Sequence, residues 1–182
     1  MIIGITGTLG AGKGTVVEYL VKTRGFKHYS VRDFLFEELK RRGLPLNRDY
    51  STPLANELRA KHGAGYISEQ LLDRALKDRS EAVIESIRSV GEGKYLKENG
   101  ATLWAVDADI KKRYERISKR MSETDRISFE KFVEDEKREW DNVDPSKQNL
   151  KAVIAMADEV LLNDGTQKEL FEQIEEALKK IV

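Results

Sequence analysis

The sequence contains no cysteine, and this absence removes several chemistries at once. A chain without thiols has no disulfide framework, no thiolate nucleophile and no cysteine-based zinc site. Long hydrophobic runs are missing as well, because the apolar N-terminal stretch is far shorter than the roughly 20 residues that a membrane span requires. No basic region precedes that stretch, so nothing indicates a targeting signal. We therefore expect a cytoplasmic protein without membrane association.

An excess of either charge is also lacking, because Lys and Arg together number 32 and Asp and Glu together number 32. Non-specific nucleic-acid binders use a basic surface to displace counterions, so this balance disfavours nucleic acid as a partner. The 182 residues are 40% hydrophobic and 35% charged, which is typical of one globular domain. We expect a single domain over residues 1–182, as a monomer or homodimer, with room for a local basic site that binds a small anion.

Short apolar runs alternate with segments of helical period. The runs predict strands at residues 2–6, 26–30, 82–86, 102–107 and 159–163. The helical patterns cover residues 14–22, 31–42, 109–120, 129–140 and 167–181. Strands that alternate with helices form right-handed βαβ units, so we predict a three-layer α/β/α sandwich with a mainly parallel five-stranded sheet. Residues 42–53 and 140–148 are expected to be irregular.

The stretch GTLGAGKGT, residues 7–15, joins the first predicted strand to the first predicted helix. Its Gly-four residues-Gly-Lys spacing is that of a phosphate-binding loop, in which backbone N–H groups and the helix N-terminus surround an anion. A glycine-rich turn without a ligand is the alternative, but the flanking strand and helix favour the phosphate loop. We predict that the Thr15 hydroxyl reaches Mg²⁺ and that ATP binds Gly7, Gly10, Ala11, Gly12, Lys13, Gly14 and Thr15.

GAGKGT resembles the phosphate loop of adenylate kinases and related nucleoside monophosphate kinases, where Gly-Lys-Gly-Thr is usual. The resemblance continues over nearly the full length through RRGLPL, NELR, IRS and ADEVLLNDG, and it includes dephospho-coenzyme A kinase-like proteins. It implies the fold of P-loop nucleoside triphosphate hydrolases, ATP as phosphoryl donor, Mg²⁺, and a small nucleotide acceptor bound by a region at about residues 31–78.

The segment SVRDFLF resembles the start of the acceptor-binding region of these kinases. Ser30 and Asp33 match residues that line the nucleotide pocket. Phe36 occupies the position of the family's arginine, and the nearby Arg32 could replace that arginine. The resemblance therefore implies an acceptor pocket that includes Ser30, Arg32 and Asp33.

The segment AVIESIR is similar to the Asp-Gly-x-x-Arg segment of the same kinases. Glu85 takes the place of the acid near Mg²⁺, and Arg88 takes the place of the arginine that holds the acceptor phosphate. Ligands bind at the carboxyl ends of strands in such sheets, so the position is suitable. A local ion pair between the two residues is the alternative. Arg59, in NELR, is a further candidate for the acceptor phosphate, with a solvated surface position as its alternative.

Arg113, Arg116 and Arg120 share one face of a predicted helix, because they are three and four residues apart. Arg116 and Arg120 resemble the pair that enters the lid of adenylate kinases, whose first arginine packs on adenine and whose second contacts phosphate. A short lid is expected at about residues 121–127. The other charged residues expected at its tip or able to move in are Asp125, Arg126 and Arg138; exposed helix charges are the alternative.

Asn163 and Gly165, in ADEVLLNDG, resemble the segment that lies beside adenine in dephospho-coenzyme A kinases. A turn at Asp164 and Gly165, followed by a helix that starts at Thr166 with Glu169 three residues later, also explains this stretch. The two interpretations are compatible.

Together these features predict an Mg²⁺-dependent kinase that transfers the γ phosphoryl group of ATP to a small nucleotide-like acceptor, with a nucleoside monophosphate favoured. The predicted catalytic residues are Lys13, Arg88, Arg116 and Arg120, since cationic groups stabilise the charge that redistributes around the γ phosphate. Thr15 and Glu85 are predicted to organise the metal. Two alternatives stay open: a dephospho-coenzyme A kinase, and a regulatory ATP-binding switch that acts on a macromolecular partner.

Overall fold

The computed structural model describes residues 1–119, 127–144 and 147–181, except for the side chain of Arg48. Its sheet has five strands, which are β1 (Ile2–Gly7), β2 (Lys27–Ser30), β3 (Ala82–Glu85), β4 (Thr102–Asp107) and β5 (Glu159–Leu162). The strands lie in the order β2-β3-β1-β4-β5, and every neighbouring pair is parallel. The predicted parallel five-stranded sheet is therefore confirmed.

Helices cover both faces of the sheet. They are α1 (Lys13–Arg24), α2 (Val31–Arg41), α3 (Arg48–His62), α4 (Tyr66–Asp78), α5 (Val90–Glu98), α6 (Ile110–Lys119), α7 (Phe129–Trp140), α8 (Leu150–Ala155) and α9 (Gln167–Lys179). Within the described residues, no helix combines the length and the apolar character that crossing a membrane requires.

Alternating side chains of β1 divide the interior into two cores. Ile3 and Ile5 point to the face that α1 and α9 cover, where they pack with Leu20 and Ile174. Gly4 points to the opposite face, which carries the second core built from α2, α3, α4, α5 and α8. A strand that is buried on both faces needs apolar or small residues at every position, and IIGIT meets that requirement.

The region expected to be irregular at residues 42–53 ends earlier in the structure, and this is a correction. Asn47 caps α3 by accepting a hydrogen bond from the backbone N–H of Tyr50 at 3.2 Å, and Pro53 lies inside the helix. Proline lacks an N–H and disfavours a helix interior. Burial of Leu54 and Leu58 against the second core offsets that loss.

The strand order brings the candidate site residues to one edge of the sheet. Strands β3 and β4 lie on opposite sides of β1, so the strand order reverses at β1. In parallel sheets such a reversal forms a crevice at the carboxyl ends of the strands. Ile5 is in register with Glu85, and Gly7 with Val106. The glycine loop after β1 and the polar residues after β3 and β4 therefore share this edge.

Candidate active site

The loop between β1 and α1 turns inward because glycine adopts backbone angles there that other residues avoid. Gly7, Gly10 and Gly12 have φ values of 139°, 81° and 102°. A Cβ on Gly10 would lie 2.5 Å from the carbonyl oxygen of Arg113, and one on Gly7 would overlap a carbonyl of β4. Gly14 differs, since a Cβ there would meet no atom within 4 Å. Three of the four glycines are thus required by the shape of the loop.

Helix α1 starts at Lys13 without a side-chain cap. Gly12 precedes it, and the first turn contains no acidic residue. The Lys13 Nζ donates to the carbonyl oxygens of Gly7 at 2.9 Å and Thr8 at 2.8 Å, so the ammonium group lies over the loop. The helix dipole and the lysine therefore concentrate positive charge at one point, which is what phosphate binding needs.

The residue that follows β5 and a residue of α6 also contact the loop. The Asn163 Nδ2 donates to the carbonyl oxygen of Ala11 at 2.8 Å, and an Arg116 Nη2 donates to the carbonyl oxygen of Asn163 at 2.6 Å. The structure thus brings Asn163 and Arg116 to the predicted phosphate loop. Gly165 lies in the turn that follows, and the predicted helix cap formed by Thr166 and Glu169 is confirmed as a capping box.

Arg113 does not face solvent but hydrogen-bonds the backbone of the glycine loop. Its Nε donates to the carbonyl oxygen of Ala108 at 2.9 Å, and one Nη donates to the carbonyl oxygen of Leu9 at 3.3 Å. Its guanidinium also pairs with Glu136 of α7 and lies 5.6 Å from the centre of the Phe132 ring. The side chain is buried, so Arg113 connects the loop, α6 and α7.

Glu85 lies at the end of β3 in an electrostatic environment that keeps it ionised. Burial raises the pKa of its carboxyl group, but a hydrogen bond to His28 and the charges of Lys13 and Arg88 outweigh that effect and hold the pKa below its ordinary value. The His28 Nε2 and the Glu85 Oε2 are 3.2 Å apart, and this bond raises the pKa of His28. The carboxylate that the sequence predicts as a metal ligand is therefore negative and within the electrostatic influence of Lys13.

Ser86, directly after Glu85, has a φ of 73°, an unusual value for a residue other than glycine. Such angles cost about 1–3 kcal/mol and are concentrated at functional sites. The strained turn directs the chain from β3 to Arg88.

Arg88 contacts the start of α5 and the end of α7. Its backbone N–H donates to Glu92 at 3.2 Å, while its Nη1 pairs with Glu139 and lies 3.4 Å from the Oε1 of Gln148. The arginine predicted to hold an acceptor phosphate is therefore held by a carboxylate of α7 in this structure.

A cleft of about 540 Å³ opens between α3 and α7, and we call it the α3–α7 cleft. Glu139 and Gln148 line it, and both contact the guanidinium of Arg88. Its α3 side presents Asp49, Thr52 and Asn56, and its α7 side presents Lys131, Asp135 and Arg138. Arg138, expected to move toward the site, is thus already at this cleft.

The acceptor pocket predicted at the start of α2, with Ser30, Arg32 and Asp33, combines a helix cap with exposed charged side chains. Ser30 caps α2 by accepting from the backbone N–H of Asp33 at 3.2 Å. Arg32 and Asp33 are exposed, and the Arg32 guanidinium lies 5.0 Å from the centre of the Phe36 ring. A cation therefore covers the side chain that replaces the family's arginine. Ser30 is in register with Glu85, so this pocket adjoins the predicted metal position.

Arg59, a candidate for the acceptor phosphate with a solvated surface position as the alternative, is buried, so the surface alternative is wrong. Its side chain is 2% exposed and donates from Nε and Nη2 to the Oε1 of Glu92 at 3.1 and 2.9 Å. Glu92 is fully buried and needs a cation, which explains why the arginine points inward. The other oxygen of Glu92 accepts from the backbone N–H groups of Arg88 and Ser89, so Glu92 connects Arg59 to the Arg88 turn. The Nη1 of Arg59 also donates to the Oδ1 of Asn56 at 3.4 Å.

Several predicted lid residues lie outside the described residues. These are Arg120, Asp125 and Arg126, together with most of the short lid expected at 121–127. Their proposed roles remain predictions.

Sequence reasoning missed Asp107, His28 and Glu139. Asp107 ends β4, accepts from the backbone N–H of Ala108 at 2.9 Å and contacts the Thr8 hydroxyl at 3.2 Å, so it supports the phosphate loop. The sequence signal that could have found Asp107 is its place as a carboxylate at the end of an apolar strand, a feature that it shares with Glu85. His28 and Glu139 carry no such signal, because each contacts the site across a long sequence separation.

The donor set at the sheet edge suits Mg²⁺. Thr15 offers a hydroxyl in the first turn of α1, and Glu85 offers an ionised carboxylate, both hard oxygen donors. In the described part of the chain, no group of three or more His, Asp or Glu side chains forms a complete protein cage for a metal. Mg²⁺ usually takes few protein ligands and completes its shell with water and phosphate oxygens, so this limited set fits it.

Comparisons with known proteins agree with this architecture. Residues 3–140 match the family described as AAA domain. A UPF0200 protein from Methanococcus vannielii is 33% identical over 185 residues, which cover 100% of this chain and 96% of the relative. Among solved structures, TT1252 from Thermus thermophilus has a TM-score of 0.61 at 22% identity, covering 100% of this chain and 98% of that one. Shikimate kinase from Bacteroides thetaiotaomicron has a TM-score of 0.58 at 10% identity, with the same coverages.

At these identities the two solved structures establish the fold alone, a P-loop kinase-like α/β fold. The family is established by the match over residues 3–140 and by the relative aligned over the whole chain. The chain therefore belongs to the AAA domain family, and it is also a member of the UPF0200 proteins.

Proposed function

We propose that this protein is an Mg²⁺-dependent kinase that transfers the γ phosphoryl group of ATP to a small acceptor held beside Arg88. One observation carries the proposal. The uncapped start of α1 and Lys13 form a phosphate loop at the same sheet edge as the ionised Glu85 and the guanidinium of Arg88. Donor and acceptor groups can therefore meet at one edge, as transfer requires.

Each side of the site has its own residues in this proposal. Lys13 and the loop amides hold the β and γ phosphates, while Asn163 and Arg116 flank the adenine side. Thr15 and Glu85 would hold Mg²⁺, which would neutralise charge on the phosphates. Arg120, which lies outside the described residues, is assigned with Arg116 to stabilisation of the transition state, as the sequence resemblance implies.

The acceptor side is assigned to Arg88, with the α2 pocket of Ser30, Arg32 and Asp33 as its neighbour. The sequence resemblance favours a nucleoside monophosphate, and the position of Arg32 over Phe36 supports replacement of the missing arginine. Arg59 acts by positioning Arg88 through Glu92. An acceptor oxygen forms a bond to the γ phosphorus, the bond to the β–γ bridging oxygen breaks, and ADP leaves.

A regulatory switch is the second candidate, and one observation favours it. Arg113 and Arg88 are both held by carboxylates of α7, Glu136 and Glu139, one turn apart. Because α7 pairs with two arginines of the site, a change in the bound nucleotide could shift α7 and so alter the surface that a partner binds. A switch predicts slow ATP hydrolysis that no small acceptor stimulates.

Replacement of Lys13 tests the phosphate loop. Lys13→Ala should lower ADP formation by about 100-fold or more, the usual effect of removing one transition-state donor, with an unchanged circular dichroism spectrum. Lys22→Ala is the matched control, because Lys22 lies on the same helix, exposed and paired with Glu18. Full activity of Lys13→Ala would contradict the proposal.

A further inference from the structure

The α3–α7 cleft has a lining that discriminates between classes of acceptor. Of the described residues that line it, none has an aromatic or aliphatic side chain. A nucleobase binds well against aromatic or apolar surfaces, whereas the described lining supplies apolar surface only through the aliphatic stems of its long polar side chains. Its volume of about 540 Å³ is nevertheless within the range of small-molecule sites.

The polar groups of the cleft are of three kinds. Three side chains are anionic, Asp49, Asp135 and Glu139, and their carboxylates accept hydrogen bonds from hydroxyl groups. Three side chains are cationic, Lys131, Arg138 and Lys147. Neutral side chains such as Asn56 and Gln148 carry oxygens and amide groups that both donate and accept hydrogen bonds, as hydroxyl groups also do. This combination matches a ligand with several hydroxyl groups and one anionic group.

Ion pairs in the cleft leave its cations exchangeable. Arg138 is 63% exposed and pairs with Glu134 at 2.5 Å, one turn away on α7. Lys131 pairs with Asp135 at 2.8 Å, also one turn away. Exposed pairs on one helix contribute only about 0.3–0.5 kcal/mol, so an anionic ligand can displace them at little cost.

We propose that the α3–α7 cleft binds the acceptor, and that the acceptor is a compact anion rich in hydroxyl groups, such as a sugar acid or sugar phosphate, without a nucleobase. This inference rests on the proposed kinase function and departs from the nucleoside monophosphate that the sequence resemblance favours. The acceptor hydroxyl oxygen bonds to the γ phosphorus, its proton passes to a cleft carboxylate, and ADP takes the electron pair of the broken bond.

The test compares two acceptor panels. ADP formation from Mg²⁺-ATP is measured with D-gluconate and D-ribose 5-phosphate, which separate a carboxylate from a phosphate, and with four nucleoside monophosphates. We expect a hydroxyl-rich anion to stimulate turnover. Arg138→Ala should then raise the KM for that acceptor by about tenfold or more, as expected for a lost charge-assisted hydrogen bond, with the KM for ATP unchanged. Arg41→Ala is the control, since Arg41 is 75% exposed on α2, outside the cleft.

Calorimetry separates failure of this inference from failure of the kinase function. Gluconate and ribose 5-phosphate are titrated into the protein in the presence of a non-hydrolysable ATP analogue. Binding that Arg138→Ala abolishes, without any ADP formation, supports the cleft and overturns the kinase function. Binding of neither compound, or stimulation by a nucleoside monophosphate whose KM is insensitive to Arg138→Ala, overturns the inference about the cleft.

Discussion

Gly10 and Gly14 belong to the same loop motif but occupy different surroundings. Gly10 has a left-handed backbone and faces the carbonyl of Arg113, whereas Gly14 lies in the first turn of α1 with open space around it. Both were predicted to bind ATP because the motif contains both. The structure adds that, of these two glycines, Gly10 is required for the shape of the loop and Gly14 is not.

This difference predicts opposite effects on stability. Gly10→Ala should lower the free energy of unfolding by about 2 kcal/mol or more, because strain and overlap add. Gly14→Ala should not lower it, since alanine is favoured over glycine in helices by about 1 kcal/mol. Urea unfolding of both variants checks this, and equal destabilisation would contradict the assigned geometry.

The pair of His28 and Glu85 gives stability a pH dependence. The pKa of His28 is raised, so the pair contributes fully below the ordinary value of 6.5 and is lost as pH rises through the folded-state pKa. The pKa of Glu85 is lowered, so its contribution is present above the ordinary value of 4.5 and is lost as pH falls through the lower folded-state value. The pair therefore stabilises the folded protein most between the ordinary pKa of glutamate, 4.5, and the ordinary pKa of histidine, 6.5.

His28→Ala should accordingly cost about 0.5 kcal/mol of unfolding free energy near pH 6, since the His28 side chain is 35% exposed. The cost should vanish near pH 9, where histidine is neutral. In a Glu85→Gln background the pH-dependent part should be absent. A cost that is the same at both pH values would show that packing, and not charge, links these residues.

At the scale of helices and strands, the buried pair of Arg59 and Glu92 connects α3 to the start of α5. Glu92 caps α5 and also binds the backbone of Arg88, so the acceptor region and the Arg88 turn share one buried carboxylate. Removing the arginine alone leaves that charge without its partner.

Arg59→Met should therefore lower the free energy of unfolding by about 3 kcal/mol. The double variant Arg59→Met with Glu92→Gln should recover part of this loss, because glutamine keeps an acceptor for the cap without a buried charge. Chemical denaturation of the single and double variants measures the coupling. A double variant no more stable than Arg59→Met would refute the charge argument.

The strands were predictable because each is a short apolar run, and the limits agree within one or two residues at every strand. Helix α3 was harder, because Pro53 and the polar residues before it resemble a loop. Its stability comes from Leu54 and Leu58 packing against distant elements. Local sequence does not encode such contacts.

For the molecule as a whole, the phosphate loop was predictable because all of its residues are contiguous. The inward turn of Arg59 and the pairing of Arg88 with Glu139 were not, because they depend on residues 33 and 51 positions away. The same holds for the α3–α7 cleft, which two helices form only after folding. Site residues that are close in sequence were thus recognised, and those assembled by topology were not.

The central claim is that this chain transfers a phosphoryl group to a small acceptor. The most direct measurement is ADP formation from Mg²⁺-ATP with and without each acceptor of the two panels and dephospho-coenzyme A, with mass spectrometry of the products. The kinase proposal predicts that one acceptor stimulates turnover, gains one phosphate, and does neither with Lys13→Ala. Slow hydrolysis that no acceptor changes would contradict it and favour the switch.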